Sequence, residues 1–366
     1  MATHVEGTDD ASLVNRFLEF ELHGTRAPMY AALARRIADD LEVRSVLHAA
    51  PPQQQLPVLL FAAVHLLVLE GAAPELAAYY PNVTASPRPG DPYPAFRAAV
   101  LDHRDRVVAV TGSRHTQTNE IGRCATMLPA LAAVSNERGP LSLVDVGASA
   151  GLNLQLDRYA YDYGEAGTVG ESSITLTCSL RGTPPDGVAV PGELPTLAAG
   201  IGLDALPIDV ADDDAVRWLE ACVWPDMVER FHRLVAAVAL ARTVRPVVEQ
   251  GDAVEDVGRL VARSRAAGHP VVTTSWVLNY LSGDRQAAFV DELDRAADGD
   301  LTWVVAESPA ETPRLPVPTT TPPEVLTVVS IVRWRGSHRT VQRVGSAHPH
   351  GYWLQWDSRS EEHTSE

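Results

Sequence analysis

The sequence predicts an α/β protein in which a helical N-terminal domain precedes a mostly parallel sheet that ends in an antiparallel hairpin. Up to about residue 135, apolar residues recur at helical spacing and no stretch alternates as a strand does. From Leu141 onward, short β-branched runs alternate with amphipathic segments, the pattern of parallel strands joined by crossover helices. At the junction, "LSLVDVGASAGLNLQLDRY" runs from an apolar strand into a glycine-rich turn, the kind of place where such sheets bind ligands. The expected boundaries are a helical domain over 1–135, a sheet domain over 136–358 and a tail over 359–366.

The helical segments are "SLVNRFLEFEL", "MYAALARRIADDL", "VLLFAAVHLLVLEG" and "AFRAAVLDHRDRVVAV", separated by Pro/Gly-rich connections such as "YYPNVTASPRPGDPYP". "TNEIGRCATMLPALAAV" follows, with Thr118 or Asn119 as its N-cap. The strands expected next are "LSLVDV", "ITLTCSL", part of "LAAGIGLDALPIDV", "RPVVEQ", "HPVVTTSWVL" and "LTWVVAES". "EVLTVVSIVRWRG", "RTVQRVGS" and "YWLQW" then supply the terminal antiparallel strands, after a proline-rich surface loop, "LPVPTTTPPE". "DDAVRWLEACV", "PDMVERFHRLVAAVALA", "DVGRLVARSRAAG" and "DRQAAFVDELDRAAD" read as the intervening helices. The final "RSEEHTSE" breaks register and reads as a translated sequencing adapter or a disordered acidic tail.

Composition narrows the chemistry. The formal charge is −17 with no arginine-rich block, which argues against nucleic acid as partner or substrate. There is no lysine, so a P-loop and Schiff-base catalysis are both excluded. Three cysteines lie far apart without a C-x-x-C pair, indicating neither disulfide framework nor zinc site. The longest apolar run contains His65 and ends at Gly71, short of a membrane span. The acidic first residues lack the features of a signal peptide, and a cytoplasmic, membrane-free protein is expected.

The turn at 147–151 has two readings. As G-x-S-x-G, it is the nucleophile elbow of a serine hydrolase, with Ser149, Asp252 and His348 as the relay. An elbow follows earlier strands of its sheet, yet the preceding residues here read as helix. As D-x-G-x-S-x-G, the turn seats a nucleoside-like cofactor. A dinucleotide needs glycines at 147, 149 and 152, where the chain has Gly147, Ser149 and Leu152. S-adenosylmethionine carries no phosphate and asks less of the turn. Asp145, Gly147, Ser149 and Gly151 match the class I methyltransferase pattern except at its middle glycine. "GIGLDALPID" offers Asp204, with Asp209 second, as acceptor for ribose hydroxyls, and "VVEQGDAVEDV" offers Asp252 near the adenine amino group. The sheet domain is therefore expected to be methyltransferase-like (Rossmann-type) and to bind S-adenosylmethionine.

"QTNEIGRCATMLPAL", "VDVGASAGLNLQLDRYAYDYG", "EACVWPDMVERF" and "HPHGYWLQW" together resemble a bacterial family known as domain of unknown function 2332. The resemblance extends to about Asp357 and implies a methyltransferase-like fold without supplying a reaction.

The remaining candidates follow from position. Asp145 either contacts the cofactor or caps its own turn, and Asn153 lies where a side chain can reach a ligand. Asp157 and Arg158 read as an ion pair or solvated surface. In "RHTQTNE", Gln117, Asn119, Glu120 and nearby Arg123 are candidates for substrate contact, with Glu120 as general base. In "TTSWVLNYLS", Trp276 and Tyr280 line a pocket or fill the core. His348 and His350 read as turn residues, so no metal site is expected. The expected activity is methylation of a small-molecule acceptor. The alternatives are a binding module of the same fold without turnover, or an esterase using Ser149.

Overall fold

The computed structural model describes residues 10–23, 26–317, 327–357 and 363–364. The chain divides into two compact units, Met1–Thr118 with Ala211–Val235, and Asn119–Val210 with Ala236–Glu366.

The first unit is helical. It contains α1 (Asp10–His23), α2 (Pro28–Ala38), α3 (Leu41–Arg44), α4 (Pro57–Leu69), α5 (Pro74–Ala77), α6 (Tyr93–Asp102) and α7 (Arg104–Ser113). Helix α8 (Arg123–Arg138) belongs to the second unit, and α9 (Asp213–Ala221) returns to the first. Pro57 occupies the first turn of α4, where its missing N–H leaves no bond unmade. Residues Leu59–Val68 of this helix are all buried, which is why its sequence is apolar on every side. His65 is fully buried within it, with Nδ1 3.0 Å from the Ala221 carbonyl and Nε2 3.0 Å from Asn82 Nδ2. Burial pushes its pKa down to about 4, so the ring is neutral at pH 7.

The domain boundary therefore differs from the one read at 135/136. Residues Cys124–Val134 of α8 are buried without interruption, and the helix packs on two strands of the sheet. Segment 211–235, expected in the sheet domain, supplies Trp218 and Ala221 to the helical core, and Trp218 Nε1 donates to the His115 carbonyl at 2.8 Å. A contiguous sequence division cannot register a segment that returns to an earlier core.

The second unit holds a large mixed sheet. Its strands are β1 (Leu141–Val146), β5 (Ser179–Arg181), β6 (Leu197–Asp204), β7 (Val248–Gln250), β8 (His269–Ser275), β9 (Asp300–Glu307), β10 (Thr327–Arg335), β11 (His338–Ala347) and β12 (Trp353–Trp356). Between β1 and β5, the strands β2 (Ala160–Asp162), β3 (Thr168–Val169) and β4 (Thr175–Thr177) form a separate small sheet. The large sheet runs β5-β12-β11-β10-β9-β8-β1-β6-β7. Strands β7-β6-β1-β8-β9 are mutually parallel, and the β9–β10, β10–β11 and β11–β12 pairings are antiparallel. Counted along the chain, the parallel set stands third, second, first, fourth, fifth. That order reverses between β1 and β8, the switch point of a doubly wound sheet.

Every residue of β1 and β8 is buried, as their near-continuous apolar runs require of strands covered on both faces. Helices α11 (Ala253–Ser264) and α12 (Gly283–Ala296) follow α10 (Val228–Thr243), and they share a core with Val144, Val146, Val272 and Trp303. One expected strand changes. "ITLTCSL" is split between β4 and β5, which lie in different sheets. The segment after the turn is a 3-10 helix over Leu152–Arg158, broken at Gln155. Most of "LPVPTTTPPE" and of the tail lies outside the described residues, although His363–Thr364 pair with Val341 and Thr340 as β13.

Trp303 is fully buried, packs edge-on to Phe289 at 5.5 Å and donates from Nε1 to Thr274 Oγ1 at 3.1 Å. Trp303→Ala is expected to cost about 3–5 kcal/mol of unfolding free energy, with Trp303→Phe costing less. Urea denaturation of both variants measures this.

Candidate active site at the carboxyl ends of β1 and β8

The glycine turn is positioned by its own backbone donors. Gly147 and Ala148 amides donate to the Leu203 carbonyl at 2.8 and 3.2 Å. The Ser149 amide donates to Asp204 Oδ2 at 2.7 Å. The Ala150 and Leu152 amides donate to Asn119 Oδ1 at 3.1 and 3.2 Å, and the Gly151 amide to the Ala148 carbonyl at 2.7 Å. Every amide from Gly147 to Leu152 is thus engaged. The turn holds no free N–H for a phosphate or for the oxyanion of an acyl transfer.

Side-chain acceptors show the reverse. Asp145 Oδ2, Ser149 Oγ and Ser275 Oγ are buried and have no hydrogen-bond partner among the described residues. Asp145 pairs with Thr273 across the β1–β8 ladder, and Thr273 Oγ1 donates to its Oδ1 at 2.7 Å. Burial pushes the Asp145 pKa up to about 7; the Thr273 hydrogen bond opposes this, the Asp204 charge adds to it, and Arg123 opposes it weakly. Ser149 and Trp276 adopt φ of 52° and 54°, one at the end of each strand flanking the switch point. Left-handed backbone at non-glycine residues is uncommon, and such residues cluster where a fold holds a site in place.

A second buried carboxylate, outside the sequence candidates, lies at the end of β9. Glu307, last residue of β9, is buried and accepts the Val277 amide at 3.2 Å on each oxygen. Burial pushes its pKa up to about 7 against the hydrogen bonds from this loop. Its signal was readable: "LTWVVAES", like "LSLVDV", is an apolar strand interrupted by a carboxylate at its carboxyl end. Arg123 bridges nearby segments, with Nε on the Pro349 carbonyl at 2.8 Å and NH1 on the Ser275 carbonyl at 2.9 Å.

The other expected residues are placed as follows. Asp204 holds the turn: besides Ser149, its Oδ1 accepts the Leu206 amide at 2.8 Å. Asp252 caps α11 through the Val254 and Glu255 amides and pairs with Arg285. Asp209 borders a cavity of about 350 Å³ with Ala150, Ile208, Arg245 and Val248. Asn153 Oδ1 lies 3.5 Å from the Cys124 sulfur. Glu120 is buried with Oε1 accepting the Gly122 amide at 2.9 Å. Trp276 Nε1 donates to Thr327 Oγ1 at 2.8 Å, and Tyr280 is 79% exposed. Gln117 belongs to the other unit. Asn119, expected at the substrate, supports the turn through its Oδ1. Gly147 is explained by packing, since a Cβ there would stand 2.4 Å from Val277 Cγ2 at a φ of 75°. Gly151 is likewise confined, by Pro246 and Val248.

Two outcomes follow. Asp204→Ala removes the acceptor of two amides and is expected to cost about 1.5–3 kcal/mol in chemical denaturation, whether or not a ligand binds. Asp145 takes up a proton on folding between its ordinary value and about pH 7, so it makes the native state less stable as pH rises through that window. Relative to wild type, Asp145→Asn should therefore gain stability from pH 4 to pH 7, on the order of a few kcal/mol. Urea titrations at several pH values measure the difference, and equal slopes for the two proteins would contradict it.

No curated protein matches the chain. A family model covers residues 15–356, nearly the whole length. The chain, with its strained turn and buried carboxylates, belongs to the family described as "Uncharacterized protein conserved in bacteria (DUF2332)".

Proposed function

We propose that the second unit has a methyltransferase-like fold, binds S-adenosylmethionine at the carboxyl ends of β1 and β8, and methylates a small molecule. The observation that carries this reading is the inverted polarity of the turn, whose donors are all engaged while Asp145 Oδ2 and Ser149 Oγ stay buried without partners. Such a site favours a ligand that brings donors and positive charge and lacks phosphate. The ammonium and sulfonium of S-adenosylmethionine meet that description. The strand order and its switch point support the same location.

The residues present fit the charged end of this cofactor. Asp145 and Ser149 would hold it, with Ser275 beside them. Asp204 retains lone pairs for ribose hydroxyls, although its main task is the turn. Asp252 would serve the adenine end only through the capacity left by its cap and by Arg285. When bound, the sulfonium supplies an electrophilic methyl group. The chain's part is to align an acceptor and exclude water.

An esterase is poorly supported. The amide of Ala150, which follows the serine, is taken by Asn119, and Ser149 Oγ makes no hydrogen bond to a histidine among the described residues. The charge of −17 favours a small acceptor over nucleic acid. No helix among the described residues is long and apolar enough to cross a membrane, and the three cysteines are unpaired. A cytoplasmic location is part of the proposal.

Calorimetry with S-adenosylmethionine and S-adenosylhomocysteine tests it. Wild type should bind both, and Asp145→Asn should weaken S-adenosylmethionine by about tenfold or more while retaining its fold. Absence of binding to either compound would refute the reading. Binding of both without methyl consumption across acceptor libraries would leave a binding module in place of an enzyme.

A further inference from the structure

A cavity of about 350 Å³ lies between the segment that follows β6 and the segment that enters β7, with Ala150 of the glycine turn in its lining. That volume falls within the usual range of small-molecule sites. Its walls are apolar, formed by Pro207, Ile208, Val210, Pro246, Val247 and Val248, all from the second unit. Val247 is 57% exposed and Arg245 is exposed, so the cavity opens to solvent there. Leu206 and Val244, each next in sequence to a lining residue, are exposed apolar side chains as well.

Hydrogen bonds hold both walls in place. The Ile208 amide donates to the Ser149 carbonyl at 3.1 Å, and Arg242 Nε to the Val210 carbonyl at 2.7 Å. On the opposite wall, the Gly202 amide donates to the Val247 carbonyl at 2.8 Å, and Gln155 Nε2 to the Val244 carbonyl at 2.5 Å. Pro246 and Val248 press on the glycine turn so closely that a Cβ on Gly151 would stand 2.8 Å from each. The cavity is therefore preformed, and filling it requires little ordering of the chain.

Its polarity is set by one group. Arg245 makes no hydrogen bond or ion pair among the described residues, in a chain with 47 acidic side chains. Asp209, the other charged residue of the lining, is already engaged. Pro207 and Pro246 bring no N–H, and the Ile208 amide is spent on Ser149. A phosphate dianion would want more donors than this and would meet the Asp209 carboxylate. A single guanidinium over an apolar hollow matches a monoanion with a hydrocarbon body.

We infer that this cavity binds a small hydrophobic carboxylate, its anionic end on Arg245 and its hydrocarbon part against Ile208, Val210, Pro246 and Val248. The inference goes beyond the methyl-transfer reading and does not rest on it. The test is calorimetry of the full chain with butanoate, hexanoate and octanoate, with hexan-1-ol as the neutral counterpart and inorganic phosphate as the alternative anion. Each added methylene should tighten binding about fourfold until the cavity is full. Hexanoate should bind at least about tenfold more tightly than hexan-1-ol, and Arg245→Gln should abolish that difference while leaving hexan-1-ol unchanged. Val247→Asp, which puts a negative charge in the lining, should weaken octanoate by about tenfold or more. Both substituted side chains are exposed, so the fold should tolerate either change. Amide NMR shifts on adding octanoate should centre on residues 207–210 and 245–248. Equal affinity for hexanoate and hexan-1-ol, a preference that survives Arg245→Gln, tighter binding of phosphate, or shifts centred elsewhere would each overturn the proposal. So would an absence of octanoate binding.

Discussion

The site depends on how the backbone amides of residues 147–152 are satisfied. A sharp strand-to-helix turn in a buried location must pair each N–H or lose the desolvation energy of that group. Here the carbonyl of Leu203, the carboxylate of Asp204 and the side chain of Asn119 perform that task. One consequence is mechanical: the turn is pinned to the end of β6 and to the segment that enters α8. The other is electrostatic. With its amides engaged, the turn offers only side-chain groups, the Asp145 carboxyl and the Ser149 hydroxyl, and no backbone cradle of the kind that holds phosphate in many related sheets.

The same economy of donors governs the carboxylates. Asp145 and Glu307 lie near the carboxyl ends of β1 and β9 in buried surroundings, and burial pushes both pKa values up to about 7. They cost stability when ionised, which is the expected price of holding acidic groups ready for a cationic or proton-donating ligand. His65 and His269 act in the opposite sense. Burial pushes each down to about 4, so their neutral forms contribute stability that is lost as pH falls from near 6.5 toward 4. Between about pH 4 and 7 the buried carboxylates and the buried histidines therefore move stability in opposite directions.

Arg123 has a comparable organising role. Its guanidinium satisfies two carbonyls that belong to segments 74 residues apart in the chain, Ser275 and Pro349. Its charge also partly offsets the buried carboxylates, as the weak lowering of the Asp145 and Glu307 pKa values records. The terminal loop with His348 and His350 is thereby drawn to the sheet's functional end. A short "HPHG" motif gave no sequence reason to expect this.

Much of the fold was legible because its cause is local. Burial on both faces favours short runs rich in apolar and β-branched residues, so β1, β8 and β9 were visible in "LSLVDV", "HPVVTT" and "LTWVVAE". Helical periodicity likewise marked the first unit. The site was legible only as a place, the turn at 147–151, because glycine and serine at fixed spacing report a tight bend and not its purpose. Tertiary structure decided the rest. Asp204, expected at a ribose, accepts the Ser149 and Leu206 amides, and Asn119 Oδ1 holds those of Ala150 and Leu152. Gly147 proved to be required by Val277, and Glu307 at the end of β9 accepts the Val277 amide. These roles arise from contacts between residues up to 130 positions apart, as between Gly147 and Val277, for which one sequence carries no periodic or local signal.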